Sequence, residues 1–166
     1  MQAFDTFNMI RIGHGFDVHR LVPGRRLILC GVELPHRLGL DGHSDADVAV
    51  HAAMDAILGA LALGDIGHWF PVDDDTFLNA DSLDLMRRIM AAPQLRDWQI
   101  GNLDITILAQ CPRLAPHIER MRANVANAGH CSVDRISVKA TTTEKLGFCG
   151  REEGIAAEAV GLLYHL

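Results

Sequence analysis

Asp17 and His19 flank a single valine in the run Arg11–Leu21. Two residues apart on an extended segment they point the same way, roughly 6–7 Å apart at the backbone. A carboxylate and an imidazole so placed converge on one ion if a third ligand arrives from elsewhere. His51, near the start of an apolar helical stretch, is the candidate. Two nitrogens and one oxygen suit Zn²⁺, and three protein ligands leave a fourth position open, the pattern of a catalytic rather than a structural zinc. The bland alternative is a strand edge carrying two polar residues.

Four further groupings bear on chemistry. Asp47, His51 and Asp55 stand at i, i+4 and i+8 on one helical face, about 6 Å apart in axial rise. A ligating imidazole needs an oriented acceptor for its second N–H, and Asp47 or Asp55 is expected to supply it. His43-Ser44 lies just before that helix, where backbone N–H groups attract anions; Ser44 reads equally as a simple cap. Thr141-Thr142-Thr143-Glu144-Lys145 offers three hydroxyls for phosphate oxygens and a carboxylate for Mg²⁺ or Mn²⁺, though the same residues suit an ordinary strand end. Asp65-Ile66-Gly67 follows a helix stop at Gly64, and Asp65 is placed to accept from ribose hydroxyls or to make an Asx-turn. No Walker A loop, dinucleotide fingerprint or nucleophile elbow occurs in the sequence. Metal ligands with anion-friendly loops favour phosphoryl chemistry, in which positioning and charge neutralisation dominate.

These residues need elements to hold them. Met9–His19 reads as a strand whose Gly13 and Gly15 permit close backbone approach, and Arg26–Leu34 as a second β-type run. About Asp45 to Leu63 is the clearest helix, capped by Ser44 or Asp45 and ended by Gly64. A second helix runs from Asp81 or Ser82 to about Met90, and a third from Pro112, starting near Pro116 or a little earlier, to Ala128 with Gly129 at its C-cap. Gln99–Gln110 and Arg135–Thr143 read as strands. Gly154–His165 is apolar on both faces, and periodicity does not choose between strand and helix there. The alternation gives an α/β or α+β domain with helices over one face of a sheet. Residues 1–8 read as a loose N-terminal extension and 9–166 as a single catalytic domain.

Composition narrows the function classes. A chain of 166 residues, 49% apolar and 22% charged, suffices for one ordinary core. Its formal charge of −6 argues against a nucleic-acid footprint. Cys30, Cys111, Cys131 and Cys149 are widely spread without C-x-x-C pairing, as in a cytoplasmic protein with reduced thiols. The N-terminal residues lack a signal-peptide pattern, and no run approaches the ~20 apolar residues of a membrane span.

Three stretches, RIGHGFDVHRL, GLDGHSDADVAVHAAMDAILGALALGDIGHWFP and VKATTTEKLGFCGREEGIA, resemble in order and almost without gaps the 2-C-methyl-D-erythritol 2,4-cyclodiphosphate synthase family. The resemblance runs from about Arg11 to the C-terminus. It implies an α+β subunit with helices packed on one face of the sheet, the chorismate-mutase-like/cyclodiphosphate-synthase fold, assembled as a homotrimer with active sites between subunits. Asp17, His19 and His51 match zinc ligands, and Glu144 the ligand of a second divalent cation, Mg²⁺ or Mn²⁺. His43 and Thr142 match residues credited with stabilising the transition state. The implied substrate contacts are Asp17, Val18, His19, His43 and Ser44, the ribose loop Asp65, Ile66 and Gly67, and Phe70, Pro71, Val72, Asp73 and Asp74. They continue through the cytosine loop Ala109, Gln110, Cys111, Pro112, Arg113, Leu114 and Ala115 to Thr141, Thr142, Thr143, Glu144, Phe148 and Arg151. The resemblance also implies an axial cavity on the threefold axis for an isoprenoid diphosphate, involving Phe16, Phe148, Arg151 and Glu153.

The implied reaction converts 4-diphosphocytidyl-2-C-methyl-D-erythritol 2-phosphate to the cyclic diphosphate with release of CMP, in non-mevalonate isoprenoid biosynthesis. Two departures from the family pattern stand out. Val72 follows Phe70-Pro71 where relatives often carry Asp, so a polar contact there is lost or passes to Asp73. Arg113 replaces a common Lys, and a planar guanidinium does not substitute freely for an ammonium. The rival readings are a zinc-dependent phosphate hydrolase, with metal-bound water in the open position, and a non-catalytic isoprenoid-diphosphate-binding trimer.

Overall fold

The computed structural model describes residues 9–166, so the first eight residues, read above as an extension, lie outside the described region. Strand β1 (Ile10–Val22) is long and pairs antiparallel with the C-terminal strand β7 (Gly154–His165). Strand β7 also pairs antiparallel with β5 (Trp98–Leu108), and β5 runs parallel to β6 (Ile136–Thr141). The short β4 (Gly39–Leu40) closes the other edge, giving the order β4-β1-β7-β5-β6. Gly154–His165, undecided by periodicity, is therefore a strand. It reads as apolar on both faces because it is the central strand, with Gly154, Ile155, Ala156 and Ala157 buried in succession.

Arg26–Leu34 is a hairpin instead of one strand: β2 (Leu27–Leu29) and β3 (Val32–Leu34) reverse at Cys30-Gly31. Both turn residues have positive φ (47° and 68°), the requirement of a tight two-residue hairpin. Cysteine is an uncommon first residue for such a turn, which hides it from composition.

Helix α1 (Val48–Ala60) lies across β1 and β7 and is buried almost throughout. Its N-cap is Asp47, two or three residues beyond the expected Asp45 or Ser44, because Ala46 adopts a left-handed φ of 58° that ends the preceding loop. Odd-numbered β1 residues face this helix. A Cβ on Gly13 would lie 1.9 Å from the Ala56 carbonyl oxygen, and one on Gly15 2.0 Å from that of Ala52. The two glycines let helix and strand backbones touch, which sets the distance between His51 on the helix and Asp17 and His19 on the strand.

Helix α2 (Ile66–Trp69) is one turn, α3 (Ser82–Met90) is capped by Asp81 as expected, and α4 (Ile118–Ala128) ends at Gly129. Pro116 sits in a 3-10 turn, Ala115–His117, that leads into α4. A last helical turn, α5 (Gly147–Gly150), precedes β7. Helices α1, α3 and α4 and the hairpin pack together on one face of the sheet. The other face carries Ile12 (68% exposed), Phe16, Val18 and Val160 toward solvent. No helix of the described residues is long and apolar enough to cross a membrane.

Candidate active site

Asp17 and His19 project from the helix-facing side of β1 toward the first turn of α1, where His51 meets them. Asp17 Oδ2 lies 3.0 Å from His19 Nε2 and 3.0 Å from His51 Nδ1, and the two ring nitrogens are 3.1 Å apart. Three ligands of a tetrahedral ion held at ~2.0–2.1 Å would be spaced by about 3.3 Å. The triangle fits a Zn²⁺-sized ion with an expansion of a few tenths of an ångström, and its donor set is the borderline N/N/O mixture zinc accepts.

The opposite ring nitrogens are fixed. His19 Nδ1 is 2.6 Å from the Asp41 carbonyl oxygen, so it carries the proton and leaves Nε2 to ligate. His51 Nε2 faces Ser82 Oγ at 3.0 Å and Ser44 Oγ at 3.1 Å. Ser82 Oγ in turn donates to Asp45 Oδ1, and the Ser82 N–H donates to Asp45 Oδ2 at 3.1 Å. His51 therefore leans on a Ser82–Asp45 relay.

That corrects the expected partners of His51. Asp47 accepts from Gly31 N–H at 2.7 Å and Val50 N–H at 3.2 Å, joining the hairpin turn to the helix cap. Burial, helped by the nearby Asp45 charge, pushes its carboxyl up to about 6. Asp55 accepts from Ile66 N–H at 2.8 Å and so anchors the turn that begins α2. Both share the helix face with His51, yet neither touches its ring nitrogens. The i+4 geometry was right and the partner was wrong, because the second N–H points past the helix to α3.

Burial pushes the Asp17 carboxyl up, but hydrogen bonds from His19 and His51 outweigh it and hold the group well below the usual carboxylate range. Burial pulls His19 down, and its hydrogen bond and attraction to Asp17 more than restore it, leaving it above the ordinary imidazole value. A metal ion at these ligands competes with protons, so its affinity falls with falling pH.

The triad opens into a cavity of about 180 Å³ lined also by His43, Ser44, Met54, Ile66, Gly67, Phe70, Val72, Phe77 and Leu85. His43, Ser44, Ile66, Gly67, Phe70 and Val72 are thus gathered as the sequence reading expected. Asp65 has its carboxylate occupied as the cap of α2, accepting from His68 N–H at 2.9 Å. Asp74 likewise accepts from Thr76 N–H at 2.9 Å. Pro71, Asp73 and Asp74 do not line the cavity, and Val72 does, with most of its side chain exposed. Arg25 was missed: its guanidinium donates to Leu40 O at 3.1 Å, Ser44 O at 2.6 Å and Asn79 Oδ1 at 3.4 Å, clamping the loop that carries His43.

The second half of the expected site is elsewhere. Ala109, Gln110, Pro112, Arg113, Leu114 and Ala115 line a separate cavity of about 310 Å³ with Ile118, Ala140, Thr141 and Thr142. Lys145 N–H donates to Gln110 Oε1 at 3.2 Å, tying the Thr-Thr-Thr-Glu turn to this loop. Thr142 Oγ1 donates to Glu144 Oε1 at 3.2 Å, Thr143 Oγ1 donates to Leu146 O at 2.6 Å, and Glu144 is exposed. Val18 pairs with Ala156, Ala156 with Leu108 and Leu108 with Thr141, so triad and threonines sit in one row three strands apart, about 14 Å. Phe16 lies on the open sheet face, Phe148 is 40% exposed in α5, and Arg151 pairs with Glu153 at 2.8 Å; none of these lines the triad cavity.

The model of the YgbB family matches residues 10–164. The chain is 58% identical to the 2-C-methyl-D-erythritol 2,4-cyclodiphosphate synthase of Thiobacillus denitrificans over 154 residues, covering 93% of this chain and 96% of that one. Among solved structures, the CDP complex of Plasmodium falciparum IspF superposes with a TM-score of 0.82 at 33% identity, covering 95% of this chain and 97% of that one. The bifunctional IspDF of Campylobacter jejuni superposes with a TM-score of 0.89 at 43% identity; 95% of this chain is covered, and it spans only 42% of that longer chain.

Proposed function

The chain belongs to the YgbB family, the 2-C-methyl-D-erythritol 2,4-cyclodiphosphate synthases, and from that premise we propose how its own residues perform the cyclisation. It converts 4-diphosphocytidyl-2-C-methyl-D-erythritol 2-phosphate into 2-C-methyl-D-erythritol 2,4-cyclodiphosphate and CMP in non-mevalonate isoprenoid biosynthesis. An oxygen of the 2-phosphate bonds to the β-phosphorus, the bond from that phosphorus to the bridging oxygen breaks, and CMP leaves with the bridging oxygen. No water is consumed and no protein nucleophile is needed, because the attacking group is tethered to its target.

Asp17, His19 and His51 would hold Zn²⁺ and Glu144 a second divalent cation, Mg²⁺ or Mn²⁺, which supply a charged template and Lewis acid for the phosphates. The chain's own groups do the rest. His43 and Ser44 donate to phosphate oxygens from the triad cavity, and Thr142 does so from the opposite half. Asp65, Ile66 and Gly67 hold the ribose, and the backbone of Ala109–Ala115 encloses the cytosine. Ile66, Phe70 and Phe77 exclude water from the reacting phosphates, which strengthens each charge contact there.

The ~14 Å between triad and threonines is too far for one chain to close the site. We therefore read the protein as a homotrimer, each site joining the triad of one subunit to the Thr142–Glu144 turn of the next. The uncovered sheet face with Ile12, Phe16, Val18 and Val160 supports this, since an apolar face of that kind marks an interaction surface. Where three such faces meet, Phe16 and Phe148 would line an axial channel for the chain of an isoprenoid diphosphate, with Arg151 and Glu153 at its charged end. Cytoplasm is the compartment that fits the substrate and the free thiols.

The observation that carries the reading is the 3.0–3.1 Å ligand triangle opening into the cavity that holds His43 and Ser44. Phosphorus NMR of the metal-loaded protein with the cytidyl substrate should show CMP and a cyclic diphosphate in equal amounts. A linear phosphorylated product would reject the cyclisation.

A further inference from the structure

A second set of ligating side chains gathers at the end of the sheet where β1 and β5 finish and β7 begins. His36 lies in the loop between β3 and β4, Cys111 in the loop after β5, and Glu152 in the turn between α5 and β7. One ligand atom from each falls within 4.8 Å of the others, and all three residues are partly buried. None of them belongs to the Asp17–His19–His51 cluster.

We propose that His36, Cys111 and Glu152 form a second metal site, for a thiophilic divalent cation of the zinc class. The donor set is one imidazole nitrogen, one sulfur and one carboxylate oxygen, which selects zinc-like ions over the hard cations that oxygen cages take. The His36 ring is held by the Leu38 backbone, its Nδ1 lying 2.9 Å from the Leu38 carbonyl oxygen and 3.3 Å from the Leu38 nitrogen. Among the described residues, Cys111 is the one cysteine that stands with an imidazole and a carboxylate in such a cluster; Cys30 and Cys149 are buried elsewhere.

Cys111 and Glu152 are hydrogen-bonded side chain to side chain, so sulfur and carboxylate already face one another. Arg37, 3.8 Å from Glu152 and largely exposed, is free to swing aside.

Ligands of a tetrahedral zinc lie ~3.3–3.6 Å apart, and these three atoms lie within 4.8 Å of one another on two loops and a turn, where the triad stands on a strand and a helix, so the site is the more exchangeable of the two. A bound ion would tie the loop beginning at Ala109 to the β3–β4 loop and to the turn before β7. The site itself does not rest on the assignment of that loop to cytosine.

Cobalt separates the two sites, because Asp17, His19 and His51 contain no sulfur. Metal-stripped full-length protein titrated with Co²⁺ should develop a near-ultraviolet thiolate-to-cobalt charge-transfer band. Cys111→Ser should abolish the band and lose one equivalent of bound cobalt per chain, and His36→Ala should weaken its appearance roughly tenfold or more. His51→Ala should leave the band in place. Absence of the band at saturating cobalt, or its persistence in Cys111→Ser, overturns the proposal.

Discussion

Two inactive variants should rescue one another if each site is shared between neighbours. His51→Ala removes a triad ligand, and Glu144→Gln removes the exposed carboxylate at the far end of the same sheet row, about 14 Å away within one chain. Each homotrimer should be inactive. In trimers assembled at random from equal amounts, half of the triads are intact, and half of those face a neighbour with an intact Glu144. The mixture should recover about one quarter of wild-type activity. The assay is CMP release after co-refolding or co-expression of the two chains. His51→Ala mixed with His19→Ala is the control: both lesions lie in one half of the site, so no arrangement rebuilds a triad and activity should stay at background. A first mixture no more active than its parents, with mixed trimers shown to have formed, would refute the shared site.

Two further predictions concern how the triad is held. Ser82→Ala removes the relay from His51 Nε2 to Asp45, while Ser44 Oγ at 3.1 Å remains as an alternative acceptor. Zinc affinity in competition with a chelator should fall about tenfold, and about 100-fold when Ser44 is also replaced by alanine. Gly15→Ala places a Cβ 2.0 Å from the Ala52 carbonyl oxygen, so α1 must move outward by more than an ångström and take His51 with it. A loss of about 3 kcal/mol in denaturant unfolding is expected, together with weakened metal binding; unchanged values for both would contradict the close-approach argument.

Much of this was legible because local rules agree with the fold. Alternation placed β5, Asp81 and Gly129 marked helix ends, and the Asp17–His19 spacing with His51 identified three groups that converge to 3.0–3.1 Å. What escaped was non-local. Ser82 and Asp45 support His51 from segments that no spacing rule connects to it, and the nearer Asp47 and Asp55 were taken in their place. The Cys30-Gly31 reversal was hidden because cysteine is not a turn-forming residue, its left-handed backbone being stabilised by the Asp47 carboxylate that accepts from Gly31. The division of the expected site into two cavities follows from strand order, which periodicity does not encode.

Turnover in ¹⁸O-labelled water tests most directly whether the site cyclises its substrate or hydrolyses it. Intramolecular attack by the 2-phosphate consumes no water, so neither CMP nor the diphosphate product should carry solvent oxygen when analysed by mass spectrometry. One solvent oxygen in either product would mean that a water attacks phosphorus in this site, and would contradict the account.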